Sequence, residues 1–294
     1  MNALLIWLIR PGSHPELDAE LEDVLGQESL TVTSIHRGQD GHHSWLKLVV
    51  RGPLPRGEAL VRLRDAAAAM NCDLVAADPS GLPRRAGLAV FDMDSTLIQC
   101  EVIDELARRH GVYDQVSAIT AAAMRGELDF VASFTRRMAL LKGLDGAVIA
   151  AIRDSLPIMP GLPEMMQGLR RAGWKTAILS GGFHPFADEL QRRYGFDFVV
   201  ANTLEIVDGR LTGIVHPPVV DGEVKRQSLL RLRQELGLEA RETVAVGDGA
   251  NDIPMILEAG LGCAFHAKPL TRAKAPHSLS FSRLDGLLPL LGQG

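Results

Sequence analysis

The chain has 294 residues, of which 46% are hydrophobic and 23% are charged, a composition typical of a globular protein with about two domains. The formal net charge of −5 and the pI near 6.0 argue against a nucleic-acid partner and against an anionic membrane surface. Cys72, Cys100 and Cys263 are scattered and odd in number, which fits the reducing cytoplasm better than a disulfide scaffold. We therefore expect a cytoplasmic protein without a membrane or nucleic-acid partner.

The first eighty residues alternate between strand and helix patterns. The apolar start, ALLIWLI, is far shorter than the ~20 residues that span a bilayer, and we expect a buried strand. The patterns that follow predict, in chain order, a helix (ELDAELEDVLGQ), two strands around a polar turn (SLTVTSIHRG and HSWLKLVVRG), an amphipathic helix (GEALVRLRDAAAAMN) and a strand (CDLVAADP). This βαββαβ order predicts a small α+β domain, an antiparallel sheet with helices on one face.

Two features delimit that domain. His42 and His43 lie in the polar, Gly-flanked turn, and we expect loop residues there rather than zinc ligands. PSGLPRRAG, residues 79–87, is rich in Pro and Gly and is the best candidate for a linker. We therefore expect a domain at residues 1–80 and a linker at 81–87.

The rest of the chain predicts an α/β domain at residues 88–294. GLAVFDMD reads as a buried strand, and residues 101 to about 155 then form helical runs that end in Gly. Strand and helix alternate again afterwards, with a hairpin at Asp208–Gly209, which predicts a doubly wound, Rossmann-like parallel sheet. The helical block interrupts this sheet after its first strand, so we expect a core at 88–99 and 157–294 and an inserted cap at 100–156.

Three predicted strands end in polar turns that should meet at one edge of the sheet, where doubly wound folds bind ligands. The turns are AVFDMDST, AILSGGF and AVGDGAND, and they supply Asp92, Asp94, Ser180, Gly181, Gly182, Asp248, Asn251 and Asp252. Asp92 and Asp248 would form a negative cluster that needs a cation, and carboxylate oxygens without Cys or His suit Mg²⁺. The alternative for the D-x-D pair is a solvated turn in which Asp94 and Ser95 cap the next helix.

A cation among carboxylates also attracts phosphate. The Ser180 hydroxyl and the amides of Gly181 and Gly182 can bind an anion where a helix begins. Lys225 could neutralise the remaining charge, although by itself it also fits a solvated surface lysine. In this arrangement Asp92 can attack phosphorus, and Asp94 can protonate the leaving group and later deprotonate water.

The ordered motifs D-x-D-x-T, Ser at a strand end, Lys, and G-D-x-x-x-D resemble those of the haloacid dehalogenase-like phosphatase superfamily. The segments FDMDSTLIQCEVIDELA, SFTRRMALLKGL, LSGGF, AVGDGANDIPM and AKP are similar to the phosphoserine phosphatase family over residues 87–285. The resemblance implies Mg²⁺-dependent hydrolysis of O-phospho-L-serine, the last step of serine synthesis, through an aspartyl-phosphate.

The resemblance also implies residue roles. Asp92 is the expected nucleophile and Asp94 the acid and base, with the metal held by Asp92, the Asp94 carbonyl and Asp248. Ser180, Gly181 and Lys225 are implied to bind phosphate, Asn251 to contact substrate or phosphate, and Asp252 and Gly182 to support the ligands from behind. In the cap, Glu101 is implied to bind the substrate ammonium and Arg137 its carboxylate. Met124 and Phe130 are implied to cover the site with apolar side chains.

The predicted cap helix places Phe130, Phe134, Arg137 and Leu141 on one stripe at 100° per residue. Arg137 then lies in an apolar face, where it could bind a substrate carboxylate, snorkel along the surface or meet an internal acid. Glu101 could equally be an acid favoured by the helix dipole. The alternatives for the whole protein are a phosphatase or phosphotransferase for another small amino-acid phosphate, with homoserine as one acceptor, and a non-catalytic amino-acid-binding regulator.

The N-terminal βαββαβ order loosely resembles an ACT domain, a fold that is shared with ferredoxin-like proteins. The resemblance implies a homodimer through this domain or feedback sensing of serine. A passive stabilising domain is the alternative.

Overall fold

The structure is a computed structural model that describes residues 3–83 and 85–292. Its first part contains β1 (Ala3–Pro11), α1 (Ala19–Gln27), β2 (Thr31–Gln39), β3 (His43–Arg51), α2 (Glu58–Ala69) and β4 (Asp73–Ala77). The strands form an antiparallel sheet in the order β2-β3-β1-β4, which confirms the predicted βαββαβ fold. Residues 1, 2, 84, 293 and 294 lie outside the described residues, and Arg84 falls within the expected linker at 81–87.

Both faces of this small sheet are buried. Ile6 and Leu8 of β1 pack on the side of the two helices, whereas Trp7 and Ile9 join the core of the rest of the chain. Successive strand residues point to opposite faces, so a strand buried on both sides reads as the continuous apolar run seen in ALLIWLI. The prediction that His43 is a loop residue is wrong, because it begins β3, is buried, and its Nε2 accepts a hydrogen bond from the Arg283 amide at 3.2 Å.

The second sheet is six-stranded and parallel in the order β12-β11-β10-β5-β6-β7. Its strands are β5 (Leu88–Phe91), β6 (Lys175–Phe183), β7 (Phe198–Asn202), β10 (Thr243–Gly247), β11 (Leu261–Phe265) and β12 (His277–Leu279). A hairpin of β8 (Ile206–Val207) and β9 (Arg210–Leu211) turns at Asp208 and Gly209, which have φ of 50° and 74°, as a tight hairpin turn requires. The doubly wound parallel sheet predicted from the alternation is confirmed.

Helices cover both faces of the parallel sheet and build the cap. The cap helices are α3 (Val102–His110), α4 (Tyr113–Met124), α5 (Phe130–Leu140) and α6 (Gly146–Asp154), and the core helices are α7 (Leu162–Arg171), α8 (His184–Tyr194), α9 (Gly222–Glu235), α10 (Ile253–Glu258) and α11 (Pro269–Lys274). Short 3₁₀ turns occupy residues 240–242, 250–252 and 284–291. Since β5, β6 and β10 are parallel neighbours, their carboxyl ends lie together beneath the cap.

The two sheets are joined near β4 and β12. The Asp73 carboxylate accepts hydrogen bonds from the amides of Ser280 at 2.5 Å and Ser282 at 2.8 Å. The apolar 3₁₀ turn at residues 284–291 lies against β1. Within the part of the chain that is described, no helix has the length and hydropathy needed to cross a membrane.

Candidate active site

The D-x-D turn after β5 is buried. Asp92 and Asp94 are 5% and 9% exposed, so the alternative of a solvated turn is wrong. The Met93 amide donates to Asp92 Oδ1 at 2.7 Å, which fixes the orientation of that carboxylate. Asp94 Oδ1 lies 3.4 Å from the amide of Val102, at the start of α3, so it faces the first helix of the cap. Burial raises the pKa of Asp94 well above its usual range, and the charges of Glu101 and Asp92 raise it further.

Lys225 compensates this negative charge. Its side chain is 0% exposed, so the alternative that Lys225 is a solvated surface lysine is wrong. Its Nζ lies 2.7 Å from Asp92 Oδ1 and 2.7 Å from Asp252 Oδ1. Burial lowers the pKa of Lys225, but the two carboxylates outweigh burial and keep the ammonium charged. Asp252 Oδ2 accepts a hydrogen bond from the Gly249 amide at 2.9 Å, so both oxygens of Asp252 have protein partners.

A carboxylate cluster suited to a metal ion lies beside this lysine. One oxygen each from Asp92, Asp248 and Asp252 lie within 4.8 Å of one another, and all three residues are buried. Burial raises the pKa of Asp248 to about 6, and burial together with Asp92 raises that of Asp252 to about 7. Hard oxygen donors without Cys or His fit Mg²⁺, and Asp92 and Asp248 are the better ligands because Lys225 and an amide occupy Asp252.

The turn at the end of β6 packs directly against the D-x-D turn. Ser180 is fully buried, and its Oγ accepts a hydrogen bond from the Gly182 amide at 2.9 Å. A Cβ added at Gly182 would lie 2.6 Å from Met93 Cε and 2.9 Å from Asp94 Oδ2, so a larger residue would have to displace these side chains. The predicted meeting of distant strand ends is therefore present in the structure.

A cavity of about 800 Å³ separates these turns from the cap. Its walls include the predicted residues Asp92, Asp94, Glu101, Met124, Phe130, Arg137, Gly181, Gly182, Asp248 and Asn251. Phe130 stacks on Phe134 with ring centroids 6.2 Å apart, as the predicted stripe requires, whereas Met124 is 71% exposed at the rim. The remaining predicted residues, Ser180, Lys225 and Asp252, lie behind this wall.

Arg137 reaches the cavity without a partner for its charge. Its Nε is shielded from solvent and has no hydrogen-bond partner, and none of the described carboxylates forms an ion pair with it. Burial lowers the pKa of its guanidinium, and Glu101, Asp104 and Asp94 act in the opposite direction from a distance. The guanidinium of Arg137 is therefore available to an anion that enters the cavity.

Glu101 occupies the N-cap position of α3, but its side chain makes no capping bond there. It accepts a hydrogen bond from Ser95 Oγ at 3.0 Å and remains partly exposed to the cavity. Sequence reasoning missed its neighbour Lys268, whose Nζ lies 3.8 Å from Glu101 Oε1 and 3.4 Å from Asp248 Oδ2. The segment AKP carried the available signal, but nothing in it indicates where the lysine points.

Comparisons with known proteins agree on one family. A family model for haloacid dehalogenase-like hydrolases matches residues 87–260. The phosphoserine phosphatase of Haemophilus influenzae is 48% identical over 222 residues, which cover 76% of this chain and 71% of that protein. The phosphoserine phosphatase of Vibrio cholerae is 48% identical over 205 residues, 70% of this chain and 62% of that longer protein.

Solved structures give the same result. A haloacid dehalogenase family hydrolase from Salmonella enterica serovar Typhi superposes with a TM-score of 0.87 at 34% identity and covers 98% of both chains. A substrate-bound phosphoserine phosphatase complex superposes with a TM-score of 0.66 at 37% identity, covering 70% of this chain and 98% of that one.

Proposed function

The chain belongs to the haloacid dehalogenase-like hydrolases and, within them, to the phosphoserine phosphatases, and we propose on this basis that it hydrolyses O-phospho-L-serine to L-serine and phosphate. The observation that carries the proposal is the set of residues that line and support one cavity. Asp92, with Lys225 behind it, and the glycine turn line a cavity of about 800 Å³. Arg137 lines the same cavity and has no ion-pair partner among the described residues. A small molecule with a phosphate at one end and a carboxylate at the other matches this arrangement.

Asp92 is the proposed nucleophile. Lys225 Nζ and the Met93 amide, both 2.7 Å from Asp92 Oδ1, hold the carboxylate in one orientation. An oxygen of Asp92 attacks phosphorus, the bond from phosphorus to the serine oxygen breaks, and an aspartyl-phosphate forms. Asp94, whose raised pKa favours the protonated form, gives its proton to the leaving serine oxygen.

Asp94 then acts as the base. Its carboxylate takes a proton from water, the water oxygen attacks phosphorus, and the bond to Asp92 breaks to release phosphate and restore the nucleophile. The position of Asp94, two residues after Asp92 and facing the start of the cap, supports both roles. A closed cap would exclude bulk water during the first step.

We further propose that Mg²⁺ binds between the Asp92 carboxylate, the Asp94 carbonyl and the Asp248 carboxylate. When bound, the ion neutralises negative charge on the transferring phosphoryl group. Asp252 supports the site from behind by holding both Lys225 and the Gly249 amide.

The phosphate contacts proposed here come from the Ser180 hydroxyl, the Gly181 amide, Lys225 and Asn251, with Gly182 allowing the close approach of the turn. At the other end Arg137 takes the substrate carboxylate as a planar fork, and Glu101 takes the ammonium. Met124 and Phe130 cover the substrate from the cap.

Phosphate release tests the proposal directly. With Mg²⁺ the protein should release phosphate from O-phospho-L-serine faster than from O-phospho-L-threonine or p-nitrophenyl phosphate, and EDTA should abolish the reaction. A faster reaction on another phosphomonoester would refute the substrate assignment, and phosphate transfer to added homoserine in place of water would refute the hydrolase. No turnover of any phosphomonoester would refute the enzyme and favour the non-catalytic regulator.

A further proposal concerns the domain organisation and the role of the N-terminal part of the chain. We propose a regulatory or dimerising domain at residues 1–80, a linker at 81–87 and a catalytic domain at 88–294 with its cap at 100–156, in a cytoplasmic protein without a nucleic-acid partner. β2 supports a homodimer, because it is an exposed edge strand of nine residues whose outer side has no strand partner among the described residues. Mass in solution with and without L-serine tests this, and a monomer whose activity ignores L-serine would favour the passive domain.

A further inference from the structure

We propose that Asn202 is a positioning residue that holds the phosphate-binding turn and the start of the lysine helix in one fixed arrangement. The inference rests on the proposed function, since it concerns how that site is built. Asn202 ends β7, is 5% exposed and lines none of the cavity wall described above.

The amide of Asn202 joins two separate segments of the chain. Its Nδ2 donates to the Gly181 carbonyl at 2.8 Å, and its Oδ1 accepts from the Val220 amide at 2.9 Å. Among uncharged side chains of this size, only a carboxamide offers a fixed donor and a fixed acceptor at once. Both its polar groups are thus satisfied by main-chain groups of catalytic segments.

The first bond replaces a missing part of the sheet. Pairing between β6 and β7 breaks between Leu179 and Phe183, so the ladder does not hold the Gly181 carbonyl. A carbonyl oxygen that turned toward the cavity would repel the phosphate that the neighbouring amides bind. Asn202 holds this oxygen away from that position.

The second bond sets the start of α9. Val220 precedes Asp221, whose Oδ1 accepts a hydrogen bond from the Val224 amide at 2.9 Å and whose carbonyl accepts one from the Lys225 amide at 3.0 Å. A shift of the Val220 main chain would therefore move the first turn of the helix that carries Lys225. A Cβ added at Gly181 would lie 3.3 Å from the Val220 carbonyl, so the two segments are already in contact where Asn202 bridges them.

The test separates the phosphate end of the site from the amino-acid end. The variants are Asn202→Asp, which keeps the acceptor but loses the donor, and the neutral Asn202→Ser, which loses the fixed pair. Thr176→Val at the opposite end of β6 is the matched control, because it removes the hydrogen bond that the buried Thr176 hydroxyl donates to Asp197 far from the site. Competitive inhibition by inorganic phosphate and by L-serine is measured for each, together with kcat and KM.

We expect Asn202→Asp to lower kcat/KM for O-phospho-L-serine by about 100-fold and to weaken phosphate inhibition by about 10-fold, because small misplacements cost this much. Asn202→Ser should weaken phosphate inhibition by roughly fivefold, and L-serine inhibition should stay within about twofold in both variants. The Thr176→Val variant should keep the wild-type phosphate constant.

A phosphate constant within about twofold of wild type in either folded variant, or equal losses for phosphate and L-serine, would overturn the role of Asn202. If Asn202→Asp does not fold, the Ser variant alone decides. If the wild-type protein prefers another phosphomonoester, inhibition by phosphate is measured with p-nitrophenyl phosphate as substrate. The role of Asn202 is then tested independently of the substrate assignment.

Discussion

Replacing Lys225 by Met should both destabilise the protein and stop turnover. The substitution keeps the length of the side chain and removes its charge. Lys225 Nζ lies 2.7 Å from Asp92 Oδ1 and 2.7 Å from Asp252 Oδ1, and these carboxylates are 5% and 0% exposed. The variant therefore leaves two buried carboxylates without their common cation.

The size of the effect follows from that burial. Breaking a buried ion pair by removing one partner costs about 3–5 kcal/mol. Unfolding entropy is about 2.1 cal/mol/K per residue, so for 294 residues the expected fall in Tm is roughly 5–8 °C. Activity should fall by at least about 1000-fold, since in the proposed mechanism the lysine both orients the nucleophile and neutralises the transferring phosphate.

Calorimetry in EDTA and phosphate release with Mg²⁺ measure the two effects. Lys175→Met is the matched control, because that lysine also pairs with an acid, Asp197 at 2.6 Å, but is 53% exposed. An exposed pair contributes at most about 1 kcal/mol, so the control should shift Tm by less than roughly 2 °C and keep its activity. Equal Tm shifts in the two variants, or an active Lys225→Met enzyme, would refute the reasoning.

Three further predictions concern single side chains. Asp92→Asn should abolish turnover while circular dichroism shows an intact fold, and substantial residual activity would remove Asp92 as the nucleophile. Arg137→Ala should lower kcat/KM for O-phospho-L-serine by about 100-fold but that for p-nitrophenyl phosphate, which lacks a carboxylate, by less than about threefold; equal losses would make Arg137 structural. Burial lowers the pKa of His277 to about 4, so the unfolded chain takes up this proton first as pH falls below about 6.5. Stability from this group is thus complete above pH 6.5 and falls by about 2 kcal/mol at pH 5. Urea unfolding at pH 7 and pH 5 checks this. The free energy of unfolding of His277→Gln should fall less between pH 7 and pH 5 than that of the wild-type protein, and an equal fall in the two proteins would contradict the prediction.

Sequence patterns predicted the parts of the fold that depend on local physics. The apolar stretches within β5, β6 and β10 are followed directly by Asp92, Ser180 and Gly247, and both the strands and their common edge follow from that pattern. Arg137 was placed in the apolar face of its helix by the 3.6-residue period, and its neighbour Arg136 is exposed as that period requires.

Other parts could not be predicted because distant contacts decide them. β12 has three residues, two of them polar, His277 and Ser278, and it is a strand only because β11 pairs with it. β7 is a different case, because its run FVVA is apolar and rich in β-branched residues, a strand signal that the sequence analysis overlooked. Asn202 and Lys268 are isolated polar residues in sequence, and only the folded chain brings them to the site. His43 was misplaced for the same reason, since its cover comes from residues near 283.

The second buried face of the small sheet has a consequence for synthesis on the ribosome. Trp7 and Ile9 lie in the same core as Leu284 and Leu287, at the opposite end of the chain. At about 5–20 residues per second, these leucines are translated roughly 15–55 s after the early strands. During that interval the nascent chain exposes an apolar surface, so we expect the yield of folded protein to depend on chaperones that bind apolar segments.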